Sequence, residues 1–312
     1  MNDDILFLKE NIDGKISGPW RLSVWERPGF PPSYVFSEEH ENKGSCPDET
    51  SITSLMSEIL HSTKNVHVFI EHFLHGDDVL NTSKTVKGSC VASEDAVLNN
   101  MRNCLEVIKI KNIDGSKKDR IHFIDPRADL VAILPNGNVY KSIEYYVKHL
   151  LETGDKEKAI MTIYEAYIHP LLSLFPDKLV MSGRLSGSME KCRNKMTNEQ
   201  KKFFDLTWKE DVIGRISELT REFSIIQKKK SISLSSLEHI SILYRDMTNK
   251  FLDTWLLSRV FIAQNDANMT ASVIYLGSLH SLNFEKYLEK FGYKRKYIVE
   301  NRDLSSCISV KF

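Results

Sequence analysis

The sequence has no long apolar run and no net charge. Its 312 residues contain 42 Lys plus Arg and 42 Asp plus Glu, so no overall field favours nucleic acid or an acidic membrane surface. The most basic run, residues 227–230, is typical of a solvated turn between helices. No stretch approaches the roughly 20 apolar residues of a membrane-spanning helix. We therefore expect neither a nucleic-acid partner nor insertion into a membrane.

Cysteine is scarce and scattered. The five cysteines, at positions 46, 90, 104, 192 and 307, form no C-x-x-C pair. Their odd number and their spacing argue against a zinc knuckle and against a disulfide framework. The first four residues, Met-Asn-Asp-Asp, are acidic where a signal peptide would be basic. Together these features predict a soluble, intracellular protein.

The most informative positive feature is the apolar run at residues 271–277. A β-branched and aromatic stretch that stops at a glycine, here Gly277, predicts a buried parallel strand that is followed by a loop. His280 then stands just past the carboxyl end of the strand, the edge of an open α/β sheet where ligands bind. A helix-like segment follows, so the unit is strand, Gly-x-x-His, helix.

Three further apolar runs, at residues 34–36, 66–70 and 120–124, also end in polar residues. The residues that follow them are Glu39 and His40, Glu71 and His72, and Asp125 and Arg127. The carboxyl ends of parallel strands share one edge, so we expect these side chains to converge there with His280. Since side chains alternate between the faces of a strand, only one of Glu71 and His72 points into such a site.

Two other histidines, His67 and His122, lie inside the predicted strands. Both alternate with apolar neighbours, which is typical of packed or edge residues and not of ligands. We therefore interpret them as structural.

The order of elements predicts an α/β protein with a mostly parallel central sheet flanked by helices. Residues 1–137 form the first part of this core and residues 251–312 the last part. Residues 138–250 are a helical insertion or subdomain, because the sequence from 139 to 263 has a helical period, broken at Gly154, Pro170, Pro176 and residues 183–187. The first 36 residues predict an irregular segment with extended pieces. Asp48 is a plausible N-cap for the first helix.

One arginine lies in a helix that is apolar nearly all round. Residues 252–262 predict a buried helix, and Arg259 shares a stripe with Leu252, Trp255 and Leu256. A guanidinium there keeps its charge and needs a paired anion. Two interpretations remain: Arg259 reaches the surface, or it is buried and either orients Glu71 or Asp125 or contacts an anionic group of a substrate.

The order of these motifs resembles the superfamily of the erythromycin esterase, ChaN and TraB/Tiki proteins, which share an α/β fold with a histidine motif at both ends of the core. Residues 37–40, Ser-Glu-Glu-His, resemble the first histidine motif, with serine where glycine is usual. Glu71 resembles the central glutamate, Arg259 the helix arginine, and residues 277–280 the second histidine motif. The phrases IHFIDPRADL and VIYLGSLHSLNFEKYLEKFGY also resemble proteins encoded by large DNA viruses. The resemblance covers residues 33–127 and 250–312.

The resemblance implies a hydrolase-like protein that acts on an ester or amide, by one of two mechanisms. Without a metal, His40 is the general base on water, Glu71 orients its imidazole, and His280 or Arg259 stabilises the oxyanion. With one divalent metal ion, His40, Glu71 and His280 are the ligands. The absence of a short-spaced ligand pair favours the first mechanism.

The alternative to an enzyme is a catalytically silent, virus-encoded protein on the same fold. Such a protein would be a structural component of a particle or would bind a host factor through its helical region. Its location would then be the host cytoplasm or the virion.

Overall fold

The structure of the chain is a computed structural model. It describes residues 9–10, 12–38, 50–73, 120–125, 147–169, 183–228, 233–301 and 307–312. The chain divides into two compact units. Unit 1 comprises Met1–Asp125 and Arg259–Phe312, and unit 2 comprises Pro126–Ser258. The interval expected from the sequence, 138–250, lies within unit 2.

Unit 1 contains a mixed six-stranded sheet with the strand order β6-β5-β7-β3-β2-β8. Its strands are β2 (Arg21–Glu26), β3 (Ser33–Glu38), β5 (Val66–Phe73), β6 (Ile121–Asp125), β7 (Ala271–Gly277) and β8 (Lys294–Glu300). A three-stranded sheet pairs β1 (Gly14–Ser17) with β4 (Thr50–Ser51) and β9 (Cys307–Val310). Two helices also belong to this unit, α1 (Ile52–His61) and α7 (Ser278–Lys290). The α/β class expected from the sequence is confirmed.

The four strands predicted to end at the site are neighbours and run parallel. β7 pairs with β3 on one side and with β5 on the other, and β5 pairs with β6. Their carboxyl ends therefore share one edge of the sheet, as the sequence predicted. The sheet is mixed because β2 and β8 run antiparallel.

The extended pieces expected in the first 36 residues include β2, which is an inner strand of the sheet. Leu22 and Val24 face one side of it, and the polar Arg21 and Ser23 face the other. Both polar side chains are buried because Glu285 of α7 accepts hydrogen bonds from them. Both faces of β2 are therefore buried. The strand lacks the alternation of buried and exposed residues that usually identifies a strand.

The register gives the parallel strands one apolar and one polar face. Val68, Ile70 and Val273 lie on the apolar face with Tyr34 and Phe36, all at most 1% exposed. The opposite face carries most of the buried polar side chains of the sheet, namely Arg21, Ser23, Ser33, Ser37, His67, Glu71, His122 and Ser272. Polar groups buried in this way must find hydrogen-bond partners or destabilise the fold.

Every element described in unit 2 is helical. Residues 147–152 form one helix. The others are α2 (Lys156–Ile163, continued by a π-helix Tyr164–Ile168), α3 (Gly183–Asn194), α4 (Asn198–Thr207), a π-helix (Trp208–Ile213), α5 (Gly214–Lys228) and the start of α6 (Leu234–Ala263). Of the described helices, none is long and apolar enough to cross a membrane.

Some helix boundaries predicted from the sequence agree with the structure and others do not. Gly154 breaks the chain as expected, with φ of +82°, a conformation that suits glycine. The break expected at residues 183–187 is wrong, because α3 begins at Gly183 and includes those residues. Asp48 lies outside the described residues, and α1 begins at Ile52. The segment around Trp255 is buried throughout, as its composition predicted.

A buried ion pair attaches α7 to the sheet. Both terminal nitrogens of Arg21 donate to Glu285 at 2.6 Å, and the Ser23 hydroxyl donates to the same carboxylate at 2.5 Å. The Trp25 indole donates in turn to the Ser23 oxygen at 2.9 Å. This bidentate geometry is the strongest form of an arginine–carboxylate contact. It fixes the position of α7, the helix that carries His280.

Removing one partner of this pair should cost more than removing both. Arg21→Met leaves the buried charge of Glu285 without its arginine, and Glu285→Met leaves Arg21 with only the half-exposed Glu300 at 3.6 Å. We therefore expect each variant to lower the free energy of unfolding by about 3–5 kcal/mol. The double variant leaves no buried charge and should lose less than either single variant. Urea unfolding of the four proteins measures this. Two single losses that simply add in the double variant would contradict the coupling.

Candidate functional site

The structure describes four of the seven candidate residues. Glu71, Asp125, Arg259 and His280 are all buried, with exposed fractions of 3%, 0%, 6% and 5%. Glu39, His40 and Arg127 lie outside the described residues. Because charged side chains are rarely buried unless they are paired, the contacts of the four described residues decide what the edge of the sheet can do.

A β-bulge sets the direction of Glu71. Along the pairing of β5 with β6, Ile70 lies opposite Phe123 and Phe73 lies opposite Asp125, so two residues of β5 face one residue of β6. A bulge of this kind re-aims side chains near functional sites. Because β5 extends from Val66 to Phe73, Glu71 lies inside the strand. The sequence had placed it just past the end of the strand.

The carboxylate of Glu71 contacts the start of α7 with both oxygens. Oε2 accepts a hydrogen bond of 2.9 Å from the Gly277 amide, and Oε1 lies 3.8 Å from Nε2 of His280. Gly277 is the N-cap residue of α7, so the carboxylate lies at the positive end of the helix, where a negative charge is stabilised. The structure thus places the carboxylate of Glu71 beside His280 at the start of α7.

His280 belongs to the first turn of α7, and the loop position expected from the sequence is wrong. The helix begins at Ser278, directly after β7 ends at Gly277. The Ser278 hydroxyl donates to the Glu38 carbonyl at 2.7 Å and accepts from the Trp20 indole at 2.8 Å. These contacts hold the turn that presents the His280 imidazole to Glu71.

Ser37, the serine at the usual glycine position of the first histidine motif, faces α7. Its hydroxyl donates to the Ser281 hydroxyl at 2.6 Å, and that hydroxyl donates to the Ser278 carbonyl at 3.0 Å. Ser37 is fully buried. Its side chain thus ties β3 to the first turn of α7.

Glu38 is a further acidic residue at this edge that sequence reasoning did not select. It is fully buried, and its Oε2 accepts a hydrogen bond of 2.6 Å from the Tyr275 hydroxyl. Burial, the charge of Glu38 and this hydrogen bond raise the pKa of Tyr275 well above its usual value, so the phenol stays protonated and donates. Glu38 ends β3 in the same way as Asp125 ends β6, and this parallel was the signal available in the sequence.

Arg259 is buried and does not reach the surface, and among the described residues its partner is neither Glu71 nor Asp125. Its Nη2 lies 3.3 Å from Nδ1 of His122, and Nε2 of His122 lies 2.9 Å from Nδ1 of His67. Nε2 of His67 lies 3.8 Å from Oδ2 of Asp266. The four side chains form a row, which we call the histidine row, from Asp266 through His67 and His122 to Arg259. The planes of the two imidazoles differ by only 17°, with ring centroids 5.2 Å apart.

The arginine fixes the proton positions along the histidine row. A guanidinium can only donate, so Nδ1 of His122 accepts and its proton is on Nε2, which then donates to His67. His67 therefore carries its proton on Nε2, facing Asp266. Burial and the charge of Arg259 lower the pKa of His122 well below its usual value. His122 is consequently neutral at pH 7.

Sequence reasoning missed this row because it judged each histidine alone. His67 and His122 are each the second residue of their strand, in VHVFIE and IHFID. In the structure the register of the two strands is shifted by two residues, so His122 lies opposite Phe69 and meets His67 diagonally on the same face. The sequence signal was a histidine in each of two predicted strands, and the contact itself depends on the register.

The two described members of the proposed metal-ligand set have a spacing that one ion would allow. Ligand atoms that each lie about 2.0–2.2 Å from an ion are at most about 4.4 Å apart, and the Glu71 and His280 atoms are 3.8 Å apart. The third proposed ligand, His40, lies outside the described residues. Within the described ranges, no group of three or more His, Cys, Asp or Glu could hold a metal ion.

Comparison with known proteins adds no family assignment. The chain matches no family model, no curated protein and no solved structure. The superfamily resemblance thus rests on the residues of this chain and stays a prediction.

The neutral, buried His122 should make the protein less stable in acid. Its folded pKa lies below the unfolded value of about 6.5, so the unfolded state binds more protons as the pH falls below that value. The free energy of unfolding should therefore be highest above pH 6.5 and should fall by up to about 1.4 kcal/mol per pH unit toward pH 5. Urea unfolding between pH 5 and 8 measures this dependence.

His122→Gln removes the titrating ring and should flatten this part of the pH dependence. His239→Asn is the control, since His239 lies exposed on α6 and its variant should keep the wild-type dependence. A His122→Gln variant whose stability changes with pH as the wild type does would show that His122 titrates alike in both states.

Proposed function

We propose that the chain is a hydrolase that acts on an ester or amide bond at the carboxyl edge of the parallel strands. The observation that supports this most is the buried pair of Glu71 and His280, 3.8 Å apart. A carboxylate beside an imidazole is the usual arrangement for moving a proton in hydrolysis. Parallel strand ends are also where the catalytic residues of open α/β sheets are found.

In the proposed reaction, His280 accepts a proton from water as the water oxygen bonds to the carbonyl carbon of the substrate. Glu71 stabilises the imidazolium that forms. The bond to the leaving oxygen or nitrogen then breaks, and the imidazolium returns its proton to that atom. The Gly277 amide holds the second carboxylate oxygen, so Glu71 keeps its orientation through both steps.

The remaining candidates have less specific roles in this proposal. Asp125 and Glu38 are buried at the ends of β6 and β3, at the same edge of the sheet. His40 is proposed, on the superfamily resemblance alone, as a second imidazole at the same edge. A divalent ion held by Glu71, His280 and His40 would supply a water of lowered pKa.

Glu71→Gln and His280→Asn should each lower the turnover of a cleaved substrate by about 10²- to 10⁴-fold. Glu71→Gln retains an oxygen that can accept from Gly277, so it removes the charge with little change of shape. The measurement is hydrolysis of a panel of carboxylic esters and peptides by the wild type and the variants. Circular dichroism and urea unfolding check that each variant folds.

The control is His149→Asn, which changes an exposed histidine of unit 2 and should leave turnover unchanged. A chelator that abolishes turnover, followed by recovery with one divalent metal, would select the metal-dependent mechanism. Unchanged turnover in Glu71→Gln and His280→Asn would refute the proposed site. A wild-type protein that cleaves no member of the panel and purifies as a stoichiometric complex would favour the structural alternative.

A further inference from the structure

Arg259 carries a buried positive charge, and no carboxylate of the described residues neutralises it. Its side chain is 6% exposed, and its hydrogen bond within the described ranges is the one from Nη2 to His122. Among those residues, no Asp or Glu oxygen lies within ion-pair distance of the guanidinium. Loss of a proton cannot neutralise it, because arginine stays charged in proteins.

The histidine row does not compensate this charge. His122 is neutral, and it accepts one hydrogen bond from Arg259 without supplying a negative charge. The carboxylate of the row, Asp266, lies beyond two imidazole rings. It already accepts from the Asn268 amide at 2.9 Å and from the Asn65 side chain at 3.2 Å, and these hydrogen bonds lower its pKa. Asp266 is therefore ionised, but its hydrogen bonds hold it at the end of the histidine row opposite to Arg259.

Two other buried arginines, Arg21 and Arg120, have the partners that Arg259 lacks. Arg21, which is 3% exposed, has a bidentate carboxylate partner in Glu285. Arg120, also 6% exposed, donates to the carbonyls of Leu60 and Ser62. Arg259 has neither arrangement, and a buried charge without such partners destabilises a fold.

We propose that Arg259 is the binding site for the carboxylate group of a small organic ligand. The guanidinium presents a planar set of donors that matches a carboxylate, and the 6% of the residue that stays exposed leaves it reachable. A single positive charge beside a neutral imidazole is balanced by a monoanion. A phosphate dianion would leave one negative charge buried.

The position of this anion site relates it to the sheet edge without depending on hydrolysis. The His122 ring stacks on Phe69 with centroids 4.4 Å apart, and Glu71 is two residues further along β5. Two residues of a strand span about 7 Å. A ligand held by Arg259 would thus lie on the same face of the sheet as Glu71, whether or not the protein cleaves it.

The test is the thermal unfolding of the full chain at pH 8 in rising sodium acetate, with sodium chloride keeping the ionic strength constant. Binding to the folded state alone raises the unfolding temperature with the logarithm of the ligand concentration. We expect acetate to do so in the wild type and not in Arg259→Met. Phosphate at the same ionic strength should have a smaller effect than acetate.

Two further variants make the outcome decisive. Arg193→Met removes a half-buried arginine already paired with Asp205 and should keep the wild-type response to acetate. Arg259→Lys keeps the charge but not the planar fork, so it should keep a reduced response even if Arg259→Met fails to fold. No response to acetate in the wild type, or an undiminished response in Arg259→Lys and Arg259→Met, would overturn the proposal.

Discussion

The carboxylate of Glu71 is the contact on which the arrangement of the sheet edge depends. It accepts the Gly277 amide where β7 becomes α7, and it faces the imidazole of His280 one turn later. A helix begins with amide groups that have no partner within the helix, and here a side chain from a different strand supplies one. The same carboxylate therefore contacts both the residue where β7 ends and α7 begins and the histidine in the first turn of α7.

The remainder of α7 is held by polar contacts with the same sheet. Near its start, Ser281 pairs with Ser37 of β3, and two turns into the helix Glu285 pairs with Arg21 of β2. All four side chains lie on the polar face of the sheet. Directional hydrogen bonds fix a helix at one register more strictly than apolar packing alone, at the cost of desolvating each group. That strictness suits a helix whose first turn carries a candidate catalytic residue.

The sequence predicted the parallel strands and their shared edge because each strand is a short apolar run with a polar end. It could not predict β2, since the polar residues of that strand are buried by partners about 260 positions away in the chain. Nor could it predict the bulge in β5, which depends on the pairing with β6. For Arg259, burial follows from the apolar helix around it, whereas the His122 partner follows only from the three-dimensional packing.

The candidate site shows the same difference between residues that the sequence identifies and contacts that only the three-dimensional packing determines. The pairing of Glu71 with His280 combines two strand ends that the sequence identified separately. The histidine row, in contrast, consists of residues that looked structural one at a time. Its direction is set by Arg259, because a cation that only donates fixes which nitrogen of each ring carries the proton.

The most direct test of the role of Glu71 is hydrogen exchange at the Gly277 amide. If the carboxylate holds the start of α7, this amide should be protected from exchange in the wild type and in Glu71→Gln, which keeps an accepting oxygen. It should exchange much faster in Glu71→Ala, while amides in the middle of β7 keep their protection. Equal protection of Gly277 in all three proteins would contradict the account.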